Sequence, residues 1–362
     1  MNSPRSLRTT ELAKEFARQG HNVKVITPRE NEVHDEFEDK FGVEIQDLGK
    51  PNFKQIELKG SGLKLLLRRF VRRISSLLFE YPDIQYVYKV SNTLNNENPL
   101  TYDLLISIAA PYPIHWGVAA AWDKKNPENN PAKKWVADCG DPYYFVSNDT
   151  FRKPFYFAWI EKWFMKKADF ITVPIQGALN GYFKEFHDKI KVIPQGFEFP
   201  ELEESDLINY QNKPTFAYFG NIGSYRHYAE PFLKYLNEIK EDFHFYIFTK
   251  EKDIYEKNLN QKTINKCTFF CYKNRKELLS ALQNIDFLVH FPYKENTQRS
   301  LKLIDYAYLQ KPVLSYRATE ADKKKVRDFL GGNFSEKESL ENIDQYRIEN
   351  VCQQFLGLIK EE

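Results

Sequence analysis

The chain has no marked excess of charge of either sign, and this excludes several classes of partner. Its 362 residues carry 52 lysines and arginines against 50 acidic side chains, a formal net charge of +2. No global field therefore attracts nucleic acid, and we expect no nucleic-acid partner. A charged ligand must instead be bound by a local group of side chains.

Paired cysteines and long apolar runs are also missing. The four cysteines form no CxxC pair and no histidine cluster accompanies them, so we expect no structural zinc and a reducing cytoplasm. Cys267 and Cys271 are interpreted as two small buried apolar residues without chemistry. No apolar run approaches the roughly 18 residues of a membrane span, and the start of the chain is not a secretory signal. We expect a soluble or peripheral protein.

Apolar strand patterns alternate with helical patterns along the whole chain, which is typical of an α/β fold. In the first half, strands are predicted at 23–27, 104–108, 135–137, 170–173 and 190–194, with helices around 5–19, 114–124 and 154–168. After an acidic, proline-containing stretch, a second series is predicted at 216–219, 243–249, 267–272, 287–290 and 312–315. Two α/β domains, 1–197 and 198–344, are therefore expected, with ligands at the carboxyl ends of their strands.

The segment 298–315 indicates a phosphate- and ribose-containing ligand. It is predicted to form a loop, a short helix and a buried strand, with Lys302 and Asp305 one helical turn apart at the helix start. Helix N-termini attract phosphate and carboxylates accept hydrogen bonds from sugar hydroxyls, so this pattern favours a sugar nucleotide. A solvated lysine, and an aspartate that caps or pairs within its own helix, are the simpler alternatives.

A turn with two glycines follows the predicted strand 216–219. Gly220 and Gly223 would let backbone amides approach phosphate groups, and Arg226 follows them. Cations placed beside a diphosphate stabilise its negative charge. No Asp-x-Asp pair follows a strand, so we predict a metal-independent site without a cofactor. A solvated surface side chain is the alternative interpretation of Arg226.

Several segments, in order, resemble the retaining glycosyltransferases of the GT-B fold, in the family-four group that builds bacterial surface polysaccharides. Segments 3–8, 12–13 and 20–27 look like the first helix and second strand of that family, 135–143 like its W-I-A-D-x-R-D-P-W segment, and 168–173 with 193–197 like its interdomain passage. The resemblance implies two Rossmann-like domains facing each other across a cleft. It also implies that the last helix, 345–362, rejoins the first domain.

The chain departs from the family pattern at several positions. It opens almost at the first helix, so the first strand and its glycine-rich loop are expected to be missing. The paired-glutamate motif is replaced by Thr297 and Asp305, eight positions apart. We expect Asp305 to accept from the ribose and Thr297 to orient a sugar hydroxyl. Gln195 replaces the usual Asn, and Gly140 replaces the usual Arg.

The resemblance also implies roles for individual residues. Arg226 takes the position of the family's phosphate-binding lysine. His115 follows a buried strand and opens a helix, and the family's histidine there contacts the transferred sugar; a packed or capping histidine is the alternative. Asp141 either orients the acceptor hydroxyl or belongs to a turn.

Residues 63–79 predict a basic amphipathic helix. Apolar side chains at 63, 66, 67, 70, 74, 77 and 78 share one face, while basic ones at 64, 68, 69, 72 and 73 crowd another. Such a helix can lie on an anionic membrane, as a lipid-linked acceptor would require, or it can be an ordinary core-packing helix. The aromatic run 151–163 either extends the same surface or is buried.

These observations lead to one leading hypothesis and two alternatives. The first is a cytoplasmic retaining glycosyltransferase, peripheral on the inner face of the membrane, that moves a sugar from a nucleotide-diphosphate sugar to a glycan or lipid-linked acceptor. The second is a non-catalytic glycosyltransferase-like module that binds a glycan or a partner. The third, a sugar-nucleotide epimerase of the same architecture, lacks a visible histidine and acid arrangement for proton abstraction.

Overall fold

A computed structural model describes residues 4–145, 151–205, 208, 213–271, 273–292, 300, 302–339 and 342–361. The chain divides into two compact units. Unit 1 comprises Met1–Glu198 and Gln345–Glu362, and unit 2 comprises Phe199–Asp344.

Unit 1 is built from parallel strands and the helices between them. Its helices are α1 (Pro4–Arg18), α2 (Asn31–Phe41), α3 (Gly62–Phe79), α4 (Gln85–Asn95), α5 (Pro113–Ala121), α6 (Tyr156–Lys167) and α13 (Ile348–Gly357), with 3₁₀ turns at Pro127–Asn129, Gln176–Gly181 and Lys184–Lys189. Its strands are β1 (Lys24–Thr27), β2 (Glu44–Asp47), β3 (Tyr102–Ile108), β4 (Ala132–Asp138), β5 (Phe170–Val173) and β6 (Ile190–Val192). Strands β3, β4, β5 and β6 form one parallel sheet in that order.

Strand β1 does not belong to that sheet. It pairs in parallel with β2 in a separate two-stranded sheet, in which Val25 is opposite Ile45. The sequence did not predict β2, because Ile45 is the one apolar residue among its four positions and it is flanked by acidic and amide side chains. A strand this short and polar carries too little periodicity to be recognised.

The C-terminal helix α13 packs on α1 within unit 1. Val351, Cys352 and Phe355 of α13 share one apolar cluster with Leu12 of α1. The Arg8 guanidinium lies 5.3 Å from the centre of the Phe355 ring. The last segment of the chain therefore covers the first helix.

Unit 2 has the same kind of architecture. Its strands are β7 (Thr215–Phe219), β8 (His244–Phe248), β9 (Cys267–Phe270), β10 (Phe287–His290) and β11 (Val313–Ser315). Its helices are α7 (Arg226–Leu236), α8 (Lys252–Asn258), α9 (Gln261–Ile264), α10 (Arg275–Ala281), α11 (Lys302–Leu309) and α12 (Glu320–Leu330), with a 3₁₀ turn at Gly223–Tyr225. A further 3₁₀ turn, Ile343–Tyr346, spans the boundary between unit 2 and the last segment of unit 1. The strands form one parallel sheet in the order β11-β10-β7-β8-β9, so the predicted α/β class is confirmed.

Stacked phenylalanines hold the centre of the unit 2 sheet. Phe216 on β7 stacks on Phe245 of β8 at 4.5 Å and on Phe287 of β10 at 4.9 Å between ring centres. Strand β7 has a neighbour on each side, and the strand order reverses between β7 and β10. The loop after β7 therefore opens at the point of such sheets where ligands usually bind.

Helix α3 is not a core-packing helix. None of its side chains is buried, and Leu63, Leu66, Leu67 and Phe70 are exposed, Leu63 by 82%. Its C-terminal end is anchored, because Tyr156 of α6 donates a hydrogen bond to the Leu78 carbonyl. The prediction of an apolar face is confirmed, but that face lies at the surface.

The cysteine interpretation was wrong for one residue. All four cysteines are free thiols, but Cys271 is exposed and Cys267 only partly buried. Strand β9 ends at Phe270, so the side chain of Cys271 follows the sheet instead of packing inside it. Within the described ranges, the chain contains no helix with both the length and the apolar character of a membrane span.

Glu161 of α6 is a fully buried acid in unit 1. Neither carboxyl oxygen makes a hydrogen bond of normal geometry among the described residues. Burial raises the pKa of Glu161 to about 8, and the backbone amides of Tyr144 and Tyr143 only partly oppose this. The side chain is therefore protonated in the folded protein at neutral pH.

A raised acid pKa makes folding less favourable as pH rises from the ordinary value of 4.5 through about 8. We expect Glu161→Gln to remove this contribution, so its Tm relative to wild type should increase between roughly pH 5 and pH 8. The exposed Glu36→Gln variant serves as the control. Parallel pH profiles for wild type and Glu161→Gln would contradict a buried, protonated Glu161.

Candidate functional site

A buried carboxylate organises the carboxyl edge of the unit 1 sheet. Asp138, at the end of β4, accepts hydrogen bonds from Arg8 Nε at 2.6 Å, Arg8 Nη2 at 2.8 Å and Thr172 Oγ1 at 2.6 Å. Burial opposes ionisation, but the Arg8 and Arg5 guanidinium groups outweigh it and lower the pKa of Asp138. The carboxylate is therefore charged and fully bonded.

Arg8 also fixes the chain that leaves β6. Its Nη1 donates to the Pro194 carbonyl at 2.7 Å and its Nη2 to the Ile193 carbonyl at 3.2 Å. A single buried guanidinium thus joins α1, β4 and the segment after β6. The first turns of α1 are held at the edge of the sheet where ligands bind in α/β folds.

Two further residues flank this ion pair. Arg5 lies one turn before Arg8 and contacts Asp138 at 3.4 Å. Asp141 follows Gly140 in the loop after β4; its side chain is exposed and its carbonyl accepts from Tyr112 Oη at 2.8 Å. The turn reading and the acceptor reading of Asp141 are both compatible with this position, so its catalytic role stays a prediction.

His115 does not lie where a sugar could reach it. Its side chain is 0% exposed, its Nδ1 is 2.7 Å from Ser107 Oγ, and its Nε2 is 3.5 Å from Cys139 Sγ. The ring stacks on Phe164 at 5.2 Å. Burial lowers the pKa of His115 to about 3, so the ring is neutral. The sequence analysis expected His115 to contact the transferred sugar. Within unit 1 the histidine is instead packed in the core, which was the alternative interpretation.

In unit 2 a partly buried lysine supports the turn after β7. Lys302 Nζ donates to Tyr218 Oη at 2.6 Å and lies 4.2 Å from the centre of that ring. Burial lowers the pKa of Lys302 to about 7, with the Glu251 carboxylate opposing the shift. A lysine that titrates near neutrality gains its proton when an anion binds beside it.

Gly220 is required at this place for two reasons. Its φ of +97° is in the region that favours glycine, and a Cβ there would lie 2.8 Å from Lys302 Cε. The structure thus brings two predicted residues, Gly220 and Lys302, into contact. Tyr218 Oη completes the arrangement by donating to the Asn221 carbonyl at 3.0 Å.

The backbone amides of the turn already have an acceptor. Glu251, in the loop between β8 and α8, accepts through Oε2 from the amides of Ile222 at 2.7 Å and Gly223 at 3.1 Å. A Cβ on Gly223 would lie 3.0 Å from Glu251 Oε1, so Gly223 permits the close approach of a carboxylate. A phosphate that used these two amides would first have to displace Glu251.

The remaining predicted residues of unit 2 lie around this turn. Arg226 is exposed at the first position of α7. Asp305 pairs through Oδ1 with Arg275 at 2.7 Å, a partner that the sequence did not predict, and burial raises its pKa against the effect of Arg275. A hydrogen bond from a ribose would use Oδ2, and this role stays a prediction. Thr297 lies outside the described residues.

Sequence reasoning missed Arg8, Asp138 and Glu251. Arg8 precedes the buried Leu12 by one turn on the inner face of α1, and a cation on such a face requires a buried partner. That signal was available. Glu251 gave only the weaker signal of an acid in a loop after a strand. In the part of the chain that the structure describes, no group of three or more histidine, cysteine or acidic side chains is arranged to hold a metal.

Residues 7–199 match the model of Glycosyltransferase Family 4, and the chain belongs to this family. The match spans more than half of the sequence, including all of β3 to β6. No curated protein sequence matches the chain.

Solved structures show that the fold is GT-B. A glycosyltransferase from Rickettsia africae ESF-5 is similar with a TM-score of 0.59 at 11% identity, over 100% of this chain and 97% of the other. The lipopolysaccharide outer core galactosyltransferase WaaB, in its apo form, is similar with a TM-score of 0.57 at 12% identity, over 98% and 95%. The UDP-GlcNAc 2-epimerase from Neisseria meningitidis, bound to UDP-GlcNAc, gives 0.55 at 12% identity, over 99% and 97%. Transferases and an epimerase share the fold, so the fold alone does not separate these activities.

Gly220→Ala should destabilise the protein by roughly 1 to 3 kcal/mol, because alanine is strained at positive φ and its methyl group would meet Lys302. The free energy of unfolding in urea measures the change. Gly357→Ala is the matched control, since Gly357 lies in α13 with open space around it and no positive φ. Equal stability of the two variants would show that the turn does not need its glycine.

Proposed function

We propose that this family 4 glycosyltransferase is a retaining enzyme that moves a sugar from a nucleotide-diphosphate sugar to a glycan or lipid-linked acceptor in surface polysaccharide synthesis. The observation that carries the proposal is Lys302, a partly buried lysine beneath the glycine turn at the strand-order reversal of unit 2. Arg226, at the start of the next helix, supplies a second cation. Such cations stabilise a leaving diphosphate without a metal.

The proposed chemistry requires no strong base from the protein. The bond between the anomeric carbon and the leaving phosphate breaks, the acceptor oxygen bonds to the same face, and its proton passes to the leaving phosphate. This fits unit 1, where His115 is buried and neutral and Asp141 is the exposed carboxylate beside the sheet edge. Asp141 then orients the acceptor hydroxyl instead of ionising it.

The surface of unit 1 supports a lipid-linked acceptor. Helix α3 carries five basic side chains and no acidic one, together with exposed Leu66, Leu67 and Phe70. The exposed Trp159 and Phe155 of the neighbouring α6 segment add aromatic surface, Trp159 with 68% exposure. Positive charge beside exposed apolar side chains matches an anionic membrane, and we propose that the protein works at the inner face of the membrane.

A second candidate is a binding module without donor chemistry. It is favoured by Glu251, whose carboxylate occupies the turn amides that a phosphate would use. A module of this kind binds a glycan or partner but neither UDP nor GDP. Nucleotide titration therefore separates the two candidates, and product analysis without an acceptor detects the epimerase alternative.

The double variant Arg226→Ala/Lys302→Ala should lose at least tenfold in affinity for UDP or GDP and should not turn over a nucleotide sugar. Wild type should also take up protons on binding near pH 8, because the pKa of Lys302, about 7 in the free protein, rises beside a diphosphate. Calorimetry in buffers of different ionisation enthalpy measures both quantities. Arg327→Ala/Lys240→Ala removes two exposed charges of unit 2 and serves as the control.

Two results would contradict this assignment. Wild-type protein that binds neither nucleotide supports the module. Unchanged binding and turnover in the double variant, with unchanged Tm, would show that the diphosphate is held elsewhere.

Leu66→Ser/Leu67→Ser/Phe70→Ser should weaken binding to vesicles that contain phosphatidylglycerol by about tenfold or more, because burial of apolar area in the interface is lost. Co-sedimentation measures binding, with neutral phosphatidylcholine vesicles for comparison. Val33→Ser/Leu100→Ser changes exposed apolar residues outside α3 and is the matched control. Equal vesicle binding by the α3 variant and the control variant would contradict a membrane role for this face. A wild-type dimer that the α3 variant abolishes would instead assign the face to a second copy of the chain.

A further inference from the structure

In unit 1 the Arg5 guanidinium occupies the space that a side chain at position 140 would fill. A Cβ built on Gly140 would overlap the Arg5 guanidinium, with Nε at 2.6 Å and Nη2 and Cζ closer still. Gly140 has no positive φ, so its backbone alone does not require glycine. The residue at position 140 must lack a side chain for the Arg5 guanidinium to stand where it does.

Asp138 does not account for the position of Arg5. The carboxylate has three short hydrogen bonds, two from Arg8 and one from Thr172, so Arg8 is its main cationic partner although Arg5 also lowers its pKa. The Arg5 contact is long, at 3.4 Å. Within the described residues, Asp138 is the one side chain that forms an ion pair with this guanidinium. Arg5 is therefore a surplus cation, and 22% of its side chain is open to solvent.

The surroundings of Arg5 attract an anion. Arg5 lies in the first turn of α1, where the helix dipole is positive and where no acidic side chain is present. A cation at this end of a helix is unfavourable unless an anion is near. The site lies beside the loop after β4, at the carboxyl edge of the sheet, where ligands of α/β folds bind.

We propose that Arg5 binds a phosphate group of a substrate and that Gly140 serves to admit its guanidinium. The planar fork of arginine donates two parallel hydrogen bonds to phosphate, which a lysine cannot reproduce. The inference deepens the proposed function and rests on it for the identity of the substrate.

Two substrates of the proposed reaction carry such a group. One is the nucleotide diphosphate of the donor, and the other is the diphosphate of a lipid-linked acceptor. Three probes separate them: inorganic pyrophosphate tests the shared chemistry, UDP represents the donor, and farnesyl diphosphate represents a prenyl-linked acceptor.

The experiment is a double-mutant cycle on the full chain. Arg5→Ala removes the guanidinium, whereas Gly140→Ala displaces it without changing any charge. Dissociation constants for the three probes are measured by calorimetry for wild type, both single variants and the double variant. Arg18→Ala removes an exposed arginine from the far end of α1 and is the control.

We expect Arg5→Ala and Gly140→Ala each to weaken pyrophosphate binding about tenfold, and the double variant to be no weaker than Arg5→Ala, because both changes act on one group. If the variants lose the same affinity for UDP, the phosphate belongs to the donor. If they lose it for farnesyl diphosphate, the phosphate belongs to the acceptor. Arg5→Lys should recover only part of the affinity. Because Gly140→Ala keeps Arg5, it tests the proposal even if Arg5→Ala fails to fold.

The proposal is overturned if wild type binds none of the three probes, if Arg5→Ala binds them as tightly as Arg18→Ala, or if the two single effects simply add. These outcomes are distinct from a failure of the proposed function. Diphosphate binding through Arg5 without any sugar transfer would refute glycosyl transfer and leave the Arg5 site standing. Sugar transfer that is unchanged in Arg5→Ala would refute the Arg5 site and leave the proposed glycosyl transfer standing.

Discussion

The buried ion pair between Asp138 and Arg8 determines where the first helix of unit 1 lies. One guanidinium joins the end of β4 to two carbonyls beyond β6, while Thr172 of β5 bonds the same carboxylate. Loss of either charged partner would leave the other buried without compensation, which typically costs about 3 to 5 kcal/mol. The positions of Arg5 and of the loop at Gly140 depend on this placement of α1 against the sheet.

Unit 2 uses charged side chains differently at the corresponding edge. Its turn after β7 is supported from one side by Lys302 and bonded from the other by Glu251. Both side chains approach the backbone closely at a glycine, Lys302 at Gly220 and Glu251 at Gly223. The amides of this turn are therefore bonded by an internal carboxylate, which a phosphate bound there as proposed would have to displace. The side chain of Arg226 is exposed and takes no part in these hydrogen bonds to the turn amides.

The parts of the fold that were predictable are those with strong periodicity. The helices predicted at 5–19, 114–124 and 154–168 and the apolar strands of the two larger sheets lie where the patterns placed them, because burial of one face fixes the period. Strand β2 escaped because Ile45 alone carried its signal. For the site, spacing identified Gly220 and Lys302 but not their contact. Pairings between distant segments, such as Arg8 with Asp138 or Arg275 with Asp305, follow from chain topology, and no local pattern encodes them.

Helix α3 has an energetic consequence that follows from its lack of buried side chains. Most helices in folded proteins are stabilised by the tertiary contacts of one face, and short isolated helices are only marginally stable in water. The N-terminal turns around Leu63 and Leu66 lack such contacts, whereas the C-terminal turns near Leu78 are tied to α6. The helix–coil balance of this segment is therefore set by its surroundings, and the proposed binding to a membrane would couple adsorption of the helix to ordering of the chain.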